Sequence, residues 1–326
     1  MTELASNCYY CMFYGSSIEN APELPATVLP DGCYKYMFSN CKQLKYSHDL
    51  KATTVGKNAY RFMFMECTAL KKAPEILATG FIGSNSCDHM FLRCSALEEG
   101  PSALYAETLQ SQCYFHMFQD CSSLKKAHVI KAVKIDGGEQ HCNYMFDRCT
   151  SSLETVQDVL FAKETALPPN ICEGMFKGCT SLKKAPALPS MDLNTKCYLG
   201  MFQGCTNLTE VPESLPATTL SEHCYENMFY GCTRLQKAPK LPAETLASSC
   251  YSFMFRECSS LTEVWLNEKN NVSSGLNWYT FDSCPSTGVT AHISKDRDYR
   301  RIRTRLNQTN WTYVDIETGE PITDVN

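Results

Sequence analysis

Residues 250–261 read CYSFMFRECSSL, and the same phrase returns along the chain as CYENMFYGCTRL at 224–235, CYLGMFQGCTNL at 197–208 and CYFHMFQDCSSL at 113–124. The shared unit is C-Y-x-x-M-F-x-x-C-x-x-L, typically followed by x-x-A-P-x-L-P-A-x-T-L. Its methionine falls at Met12, Met37, Met63, Met90, Met117, Met145, Met175, Met201, Met228 and Met254, ten copies spaced 25 to 30 residues apart. A degenerate eleventh copy has Phe281 and Cys284 in register. About 27 residues are too few to enclose a core of their own, so each unit must bury its apolar face on its neighbours and the chain must stack as a solenoid. The expected division is one repeat domain over residues 1–284 and a capping segment over 285–326.

Within a unit, Cys250, Met254 and Cys258 stand at i, i+4 and i+8, with Tyr251 and Phe255 one residue on, a spacing that predicts a short helix with one apolar stripe. Ser6, Asp31, Ser111, Thr195 and Ser248, two positions before the first Cys, are of the types that cap helix N-termini. Gly178, Gly204, Gly231, Asn40 and Asp120, just before the second Cys, tolerate the left-handed conformation that ends helices. The following Leu-x-x-Ala-Pro reads as a very short strand. Its small or β-branched position is filled by Ala73, Ala185, Val211 and Ala238, and Pro74, Pro186, Pro212 and Pro239 end it, because proline has no N–H for a ladder. One strand and one helix per turn give an α/β repeat solenoid, a right-handed superhelix with short parallel strands.

M-F-x-x-C-x-x-L followed by L-P resembles the leucine-rich repeats of the BspA-like (Treponema pallidum type) class, in the variant common in gut Bacteroidetes. The resemblance covers about residues 1–284. It implies a curved leucine-rich-repeat solenoid, exposed on the cell surface or secreted, with roles in adhesion and protein–protein interaction and no catalysis or cofactor. It carries over no binding residue, because the motif is structural. Local departures are Ala59 in place of the first Cys, a one-residue shift of Cys87, Cys142 and Cys172, and insertions between 128 and 170.

Composition narrows the function. With 44 % hydrophobic and 20 % charged residues the chain can form a core, and no apolar run reaches the roughly 20 residues of a membrane helix. A net charge of −5 opposes nucleic-acid binding. The start, MTELASNCYY, lacks the basic and apolar regions of a secretory signal, and Thr2–Cys8 matches Glu244–Cys250 closely, so the chain is expected to begin inside a repeat without a cap: either the natural protein is longer, or another chain or domain makes a contact at this uncapped N-terminal end.

Twenty cysteines admit three readings. On a helix, two Cys eight residues apart are about 12 Å apart, and neighbouring helices lie roughly 8–10 Å apart, both beyond the roughly 7 Å reach of a disulfide. Zinc needs four clustered ligands, and only Cys8 and Cys11 form C-x-x-C. Buried free thiols acting as small hydrophobes are the expected state.

Two positions after the repeat Leu the charges alternate: Lys72, Glu99, Lys126, then Thr155 with Glu154 beside it, then Lys184, Glu210, Lys237 and Glu263. Parallel strands about 4.8 Å apart would set opposite charges against each other as a cross-turn ladder holding register. Tyr46 in that column, and His48, His128 and Trp265 in the proline column, are the candidate binding contacts. His89 and His116 occupy the same column in adjacent copies, so they could be neighbours, but without a carboxylate partner they read as surface residues rather than a site. The chain has no H-E-x-x-H, G-x-S-x-G, phosphate-binding glycine loop or EF-hand loop. Beyond Cys284, 289–293 and 311–316 read as strands, and 296–306 as a basic cap helix. The expectation is a non-enzymatic scaffold binding a protein or glycan, without metal, nucleic acid or membrane insertion. The alternative is a structural subunit of a larger assembly, such as a phage or surface appendage.

Overall fold

The computed structural model describes residues 4–126, 129–130, 134–154, 156, 167–243, 246–266, 276, 278–294, 303 and 306–322. The chain winds as a parallel β-solenoid whose turns follow the repeat. Its side chains pack by column: Met37, Met63, Met90 and their successors through Met254 are at most 2 % exposed, and the Phe, Cys and Leu columns are equally buried. The Phe rings stack turn on turn from Phe13–Phe38 to Phe255–Phe281, with centroids 5.3–5.7 Å apart and planes within 15°. Each buried Phe contributes about 1.5–3 kcal/mol of hydrophobic free energy. Trp311 meets Phe281 edge-on at 5.2 Å and ends the stack.

The Cys-to-Cys segments correct the helical expectation. In 33–41 the N–H groups of Tyr34, Tyr36, Phe38 and Asn40 donate to Ala59, Arg61, Met63 and Met65 one turn later, at 2.7–3.0 Å. The N–H groups between them, of Cys33, Lys35, Met37, Ser39 and Cys41, bond back three residues at 3.1–3.3 Å. Every fourth residue takes a positive φ, here Gly32 (66°), Tyr36 (58°) and Asn40 (62°), and near the other end Ser249 (55°), Phe253 (55°) and Glu257 (61°). The segment is therefore a ribbon of successive β-turns. An α-helix commits each N–H to its own chain four residues back, whereas this ribbon gives half its donors to the next turn. The cross-turn bonds offset the left-handed residues, each costing roughly 1–2 kcal/mol where it is not glycine. The ribbon repeats every four residues, so it keeps the Cys-Met-Cys stripe on one side as a helix would. Two of the expected cap residues serve across turns instead: Asp31 Oδ1 accepts the N–H of Lys57 at 2.8 Å, and Ser111 Oγ donates to the Glu139 carbonyl at 3.1 Å. Among the described residues a 3-10 turn, Trp278–Phe281, stands beside the ribbons.

The strands are short and parallel. β1 (Val28–Leu29) pairs with β2 (Thr54–Val55), β3 (Ala103–Leu104) with β5 (Val129–Ile130), and β4 (Thr108–Leu109) with β6 (Lys134–Ile135). The Leu-x-x-Ala-Pro strand is a single bridge, as at Lys72↔Glu99, Lys184↔Glu210 and Lys237↔Glu263. There Ala73, Ala185 and Ala238 donate across to Glu99, Glu210 and Glu263 at 2.8–3.0 Å, and the proline that follows has no hydrogen to continue. At the end of the series the strands lengthen. β7 (Glu263–Leu266), β8 (Thr290–Ile293) and β9 (Thr312–Asp315) form a three-stranded parallel sheet, β8 and β9 lying where strands were expected after Cys284. Trp265 stands where earlier turns carry proline, so the ladder runs on. The expected cap helix over 296–306 lies outside the described residues except for Arg303 and Leu306.

The cysteines are held as thiols. The elimination of cross-turn disulfides by interhelical distance does not hold, because adjacent turns are joined by backbone hydrogen bonds and stand at strand spacing, about 4.8 Å.

Candidate binding face

The strand column carries the charges that the sequence arrays. Lys72 and Glu99 are bridge partners with Nζ 3.8 Å from the carboxylate, Lys237 and Glu263 approach to 2.8 Å, and Lys184 and Glu210 are bridge partners. Lys126 is exposed in the same column. Glu154 departs from the expected ladder. It pairs with Lys183 at 2.9 Å and belongs one column earlier, where Glu19 meets Lys45 at 3.0 Å and Glu98 meets Lys125. A third column joins Glu23 to Lys51, and Glu213 to Lys240 at 2.7 Å. The neighbouring lysines hold the Glu23, Glu98 and Glu213 carboxyls below the usual range, chiefly through hydrogen bonds. The signal for the second column was legible, since Glu19, Lys45, Lys71, Glu98, Lys125, Glu154 and Lys183 all follow the repeat Leu or its equivalent by one residue.

Of the aromatic candidates, Tyr46 is half exposed and lies edge-on to His48, with centroids 5.0 Å apart and Oη 3.4 Å from Nδ1. His128 lies outside the described residues. Trp265 and His292, register partners on β7 and β8, stack at 4.7 Å with planes 8° apart. His292 backs the indole and fixes its plane, and burial lowers the pKa of the imidazole. Beside Trp265 a groove of about 500 Å³ crosses three turns. Val211 and Pro212 supply apolar wall, and Glu210, Gln236, Lys237 and Lys240 supply polar groups. An aromatic plate beside hydrogen-bonding groups of both charges suits a ligand with apolar and polar faces. Sequence reasoning did not identify His292 or the groove, because the last turn keeps too little of the repeat to set its register.

His89 and His116 are brought together on the ribbon side, stacked at 4.6 Å within a strip that continues to Phe62 and Tyr144. Asp88, almost fully buried, lies between Arg61, 2.7 Å away, and the His89 ring. Burial, then the neighbouring His89, lowers the His116 pKa to about 4. Among the described residues no three His, Cys, Asp or Glu side chains are grouped so as to hold a metal ion, and no helix is long and apolar enough to cross a membrane.

Turns stacked through a leucine column and a short parallel strand define a leucine-rich-repeat solenoid. The model of the BspA type leucine-rich-repeat region matches in six copies, over residues 88–227 and 169–297, and the chain belongs to that family. Among solved structures it is similar to a leucine-rich cell surface protein from Faecalibacterium prausnitzii A2-165, at 15 % identity and a TM-score of 0.42, over 94 % of this chain and 78 % of that one. It is also similar to a leucine-rich-repeat protein from Bacteroides ovatus ATCC 8483, at 17 % identity and a TM-score of 0.29, over 88 % of this chain and 86 % of that one. No curated protein matches it.

Proposed function

We propose that the chain is a non-enzymatic, surface-exposed scaffold that binds a protein or glycan partner on its strand face, in the manner of an adhesin. The observation that carries this reading is the groove beside Trp265. There the proline column gives way to an indole held flat by His292, next to Glu210, Gln236 and Lys237. The paired charges leave the face with no large field of one sign, which favours a neutral or mixed-charge ligand over a polyanion. Family membership supports an interaction role, because the repeat supplies like residues at every turn whereas catalysis requires unlike residues at one place. The test is a screen of the whole chain against immobilised matrix proteins and a glycan array, repeated with Trp265→Ala. Removing a central aromatic anchor should weaken the strongest hit by about tenfold or more. A variant that binds every hit as the parent does would overturn the assignment of this face.

A second reading, a subunit of a larger assembly, is favoured by the first turn. Tyr10, Met12 and Tyr14 are 51–58 % exposed there, although methionine in the same column is buried in the later turns. A partner seated on this turn would cover them. Sedimentation of the chain with and without Met12→Lys tests it: a concentration-dependent species that the variant abolishes supports assembly, and a monomer at all concentrations opposes self-assembly.

A further inference from the structure

The first-Cys column runs along the core, and at its beginning two thiols touch. Cys8 Sγ lies 3.0 Å from Cys33 Sγ, in the next turn. The backbones are parallel neighbours there, since the Tyr9 N–H donates to the Cys33 carbonyl at 3.0 Å. That places the two Cα atoms at about strand spacing, inside the roughly 4.4–6.8 Å window of a disulfide. Access separates this pair from its equivalents. Cys8 is exposed, whereas Cys87, Cys113, Cys142, Cys172, Cys197, Cys224 and Cys250 are fully buried, out of reach of an oxidant. In the second-Cys column each sulfur is directed to a carbonyl, as Cys67 is to Phe38 at 3.1 Å.

We propose that Cys8 and Cys33 are a modification site, a disulfide that forms under oxidising conditions and clamps the first turn to the second. With a low-molecular-weight disulfide as oxidant, the exposed Cys8 thiolate attacks one of its sulfurs, forms a mixed disulfide and expels one thiolate. Cys33, buried and already in contact, attacks Cys8 Sγ as its proton passes to the departing thiolate. The second thiolate leaves, and both expelled thiolates take up protons. Two protein thiols are thereby oxidised to one Sγ–Sγ bond, and one external disulfide is reduced to two thiols.

The test is to incubate the folded, fully reduced 326-residue chain with oxidised glutathione at mildly alkaline pH, quench with acid, alkylate in denaturant, and map the peptides by mass spectrometry. The expected result is eighteen alkylated cysteines instead of twenty, with a Cys8–Cys33 cross-linked peptide that disappears on reduction. The exposed-site variant Cys8→Ser, which leaves the buried partner in place, should show no cross-link and no loss at Cys33. Twenty alkylated thiols, a stable glutathione adduct on Cys8, or a Cys8–Cys11 cross-link in its place would each overturn the proposal.

Discussion

The thiol of Cys121 donates to the carbonyl oxygen of Phe91 in the preceding turn, 3.0 Å away, and the same oxygen accepts the N–H of Cys94 at 3.1 Å. Equivalent contacts at 2.9–3.2 Å run from Cys41–Phe13 to Cys284–Phe255. The second Cys is thus a filler and a donor at once, which explains why a small hydrophobe alone does not replace it. Cys121→Ala removes the sulfur from a fully buried site and leaves the carbonyl with one partner. The expected loss is about 1–2 kcal/mol, read as a lower urea midpoint. An unchanged midpoint would show that the column only fills space.

Burial also governs reactivity. The Cys87 and Cys94 thiols are pushed up to about 12, from an ordinary 9.0, by loss of solvent. A rise of that size leaves about a thousandfold less thiolate at pH 8. In reduced native protein, Cys8 and Cys11 should label quickly with a thiol reagent, and Cys87 and Cys94 only after denaturant is added. Peptide-resolved labelling that finds Cys87 modified in the native state would contradict this.

The stacked columns were legible in the sequence because Met and Phe recur with their neighbours in fixed order, and the solenoid follows from that alone. The ribbon is hidden in the sequence, because Cys250, Met254 and Cys258 at intervals of four satisfy a 3.6-residue helix nearly as well as a four-residue turn. The discriminating signal lay in the glycines. Gly174 with Gly178, and Gly200 with Gly204, sit four apart inside one supposed helix, where glycine is costly. They mark the left-handed corners of the ribbon. The Trp265–His292 stack was hidden for another reason: it depends on pairing with β8, whose sequence has left the repeat.

Two of those corners separate backbone strain from crowding. Gly174 and Gly200 both have φ +58°. A Cβ on Gly174 would lie 2.3 Å from Cε1 of Tyr144, whereas one on Gly200 would meet Gln203 Oε1 at 3.4 Å. Both alanine substitutions pay the left-handed penalty, but Gly174→Ala must also displace the Tyr144 ring, which donates to Glu173. Gly174→Ala should therefore cost about 1–3 kcal/mol more than Gly200→Ala. Equal melting temperatures for the two would refute the steric part.

The cross-turn charges are exposed, so their effect should be small and sensitive to salt. Glu99→Lys removes the partner of Lys72 and sets like charges in the column between Lys72 and Lys126. The expected loss is about 0.2–1 kcal/mol at low ionic strength, mostly erased near about 1 M salt, where the screening length falls to about 3 Å. A melting temperature that does not move at low salt would show that the alternation does not hold register.

His116 links stability to mild acid. Its folded pKa is lowered to about 4, first by burial and then by His89, from an ordinary value near 6.5. Above about pH 6.5 neither the folded nor the unfolded imidazole is protonated, and stability is full. Between about 6.5 and 4 the unfolded chain takes up a proton that the folded chain refuses, so stability declines as the pH falls, and below about 4 this contribution levels off. The shift sets an upper limit of about 3 kcal/mol, and solvent around a partly exposed ring reduces the expected change to about 1–2 kcal/mol. His141, buried beside Asp136, and His292 are also lowered by burial and add in the same direction. Arg148, Asp88, Gln119 and Tyr144 complete the surroundings of His116. His116→Gln cannot titrate, so its urea midpoint should fall less than the parent's between pH 7 and pH 4.5. Parallel profiles for the two proteins would show that the proton uptake lies elsewhere.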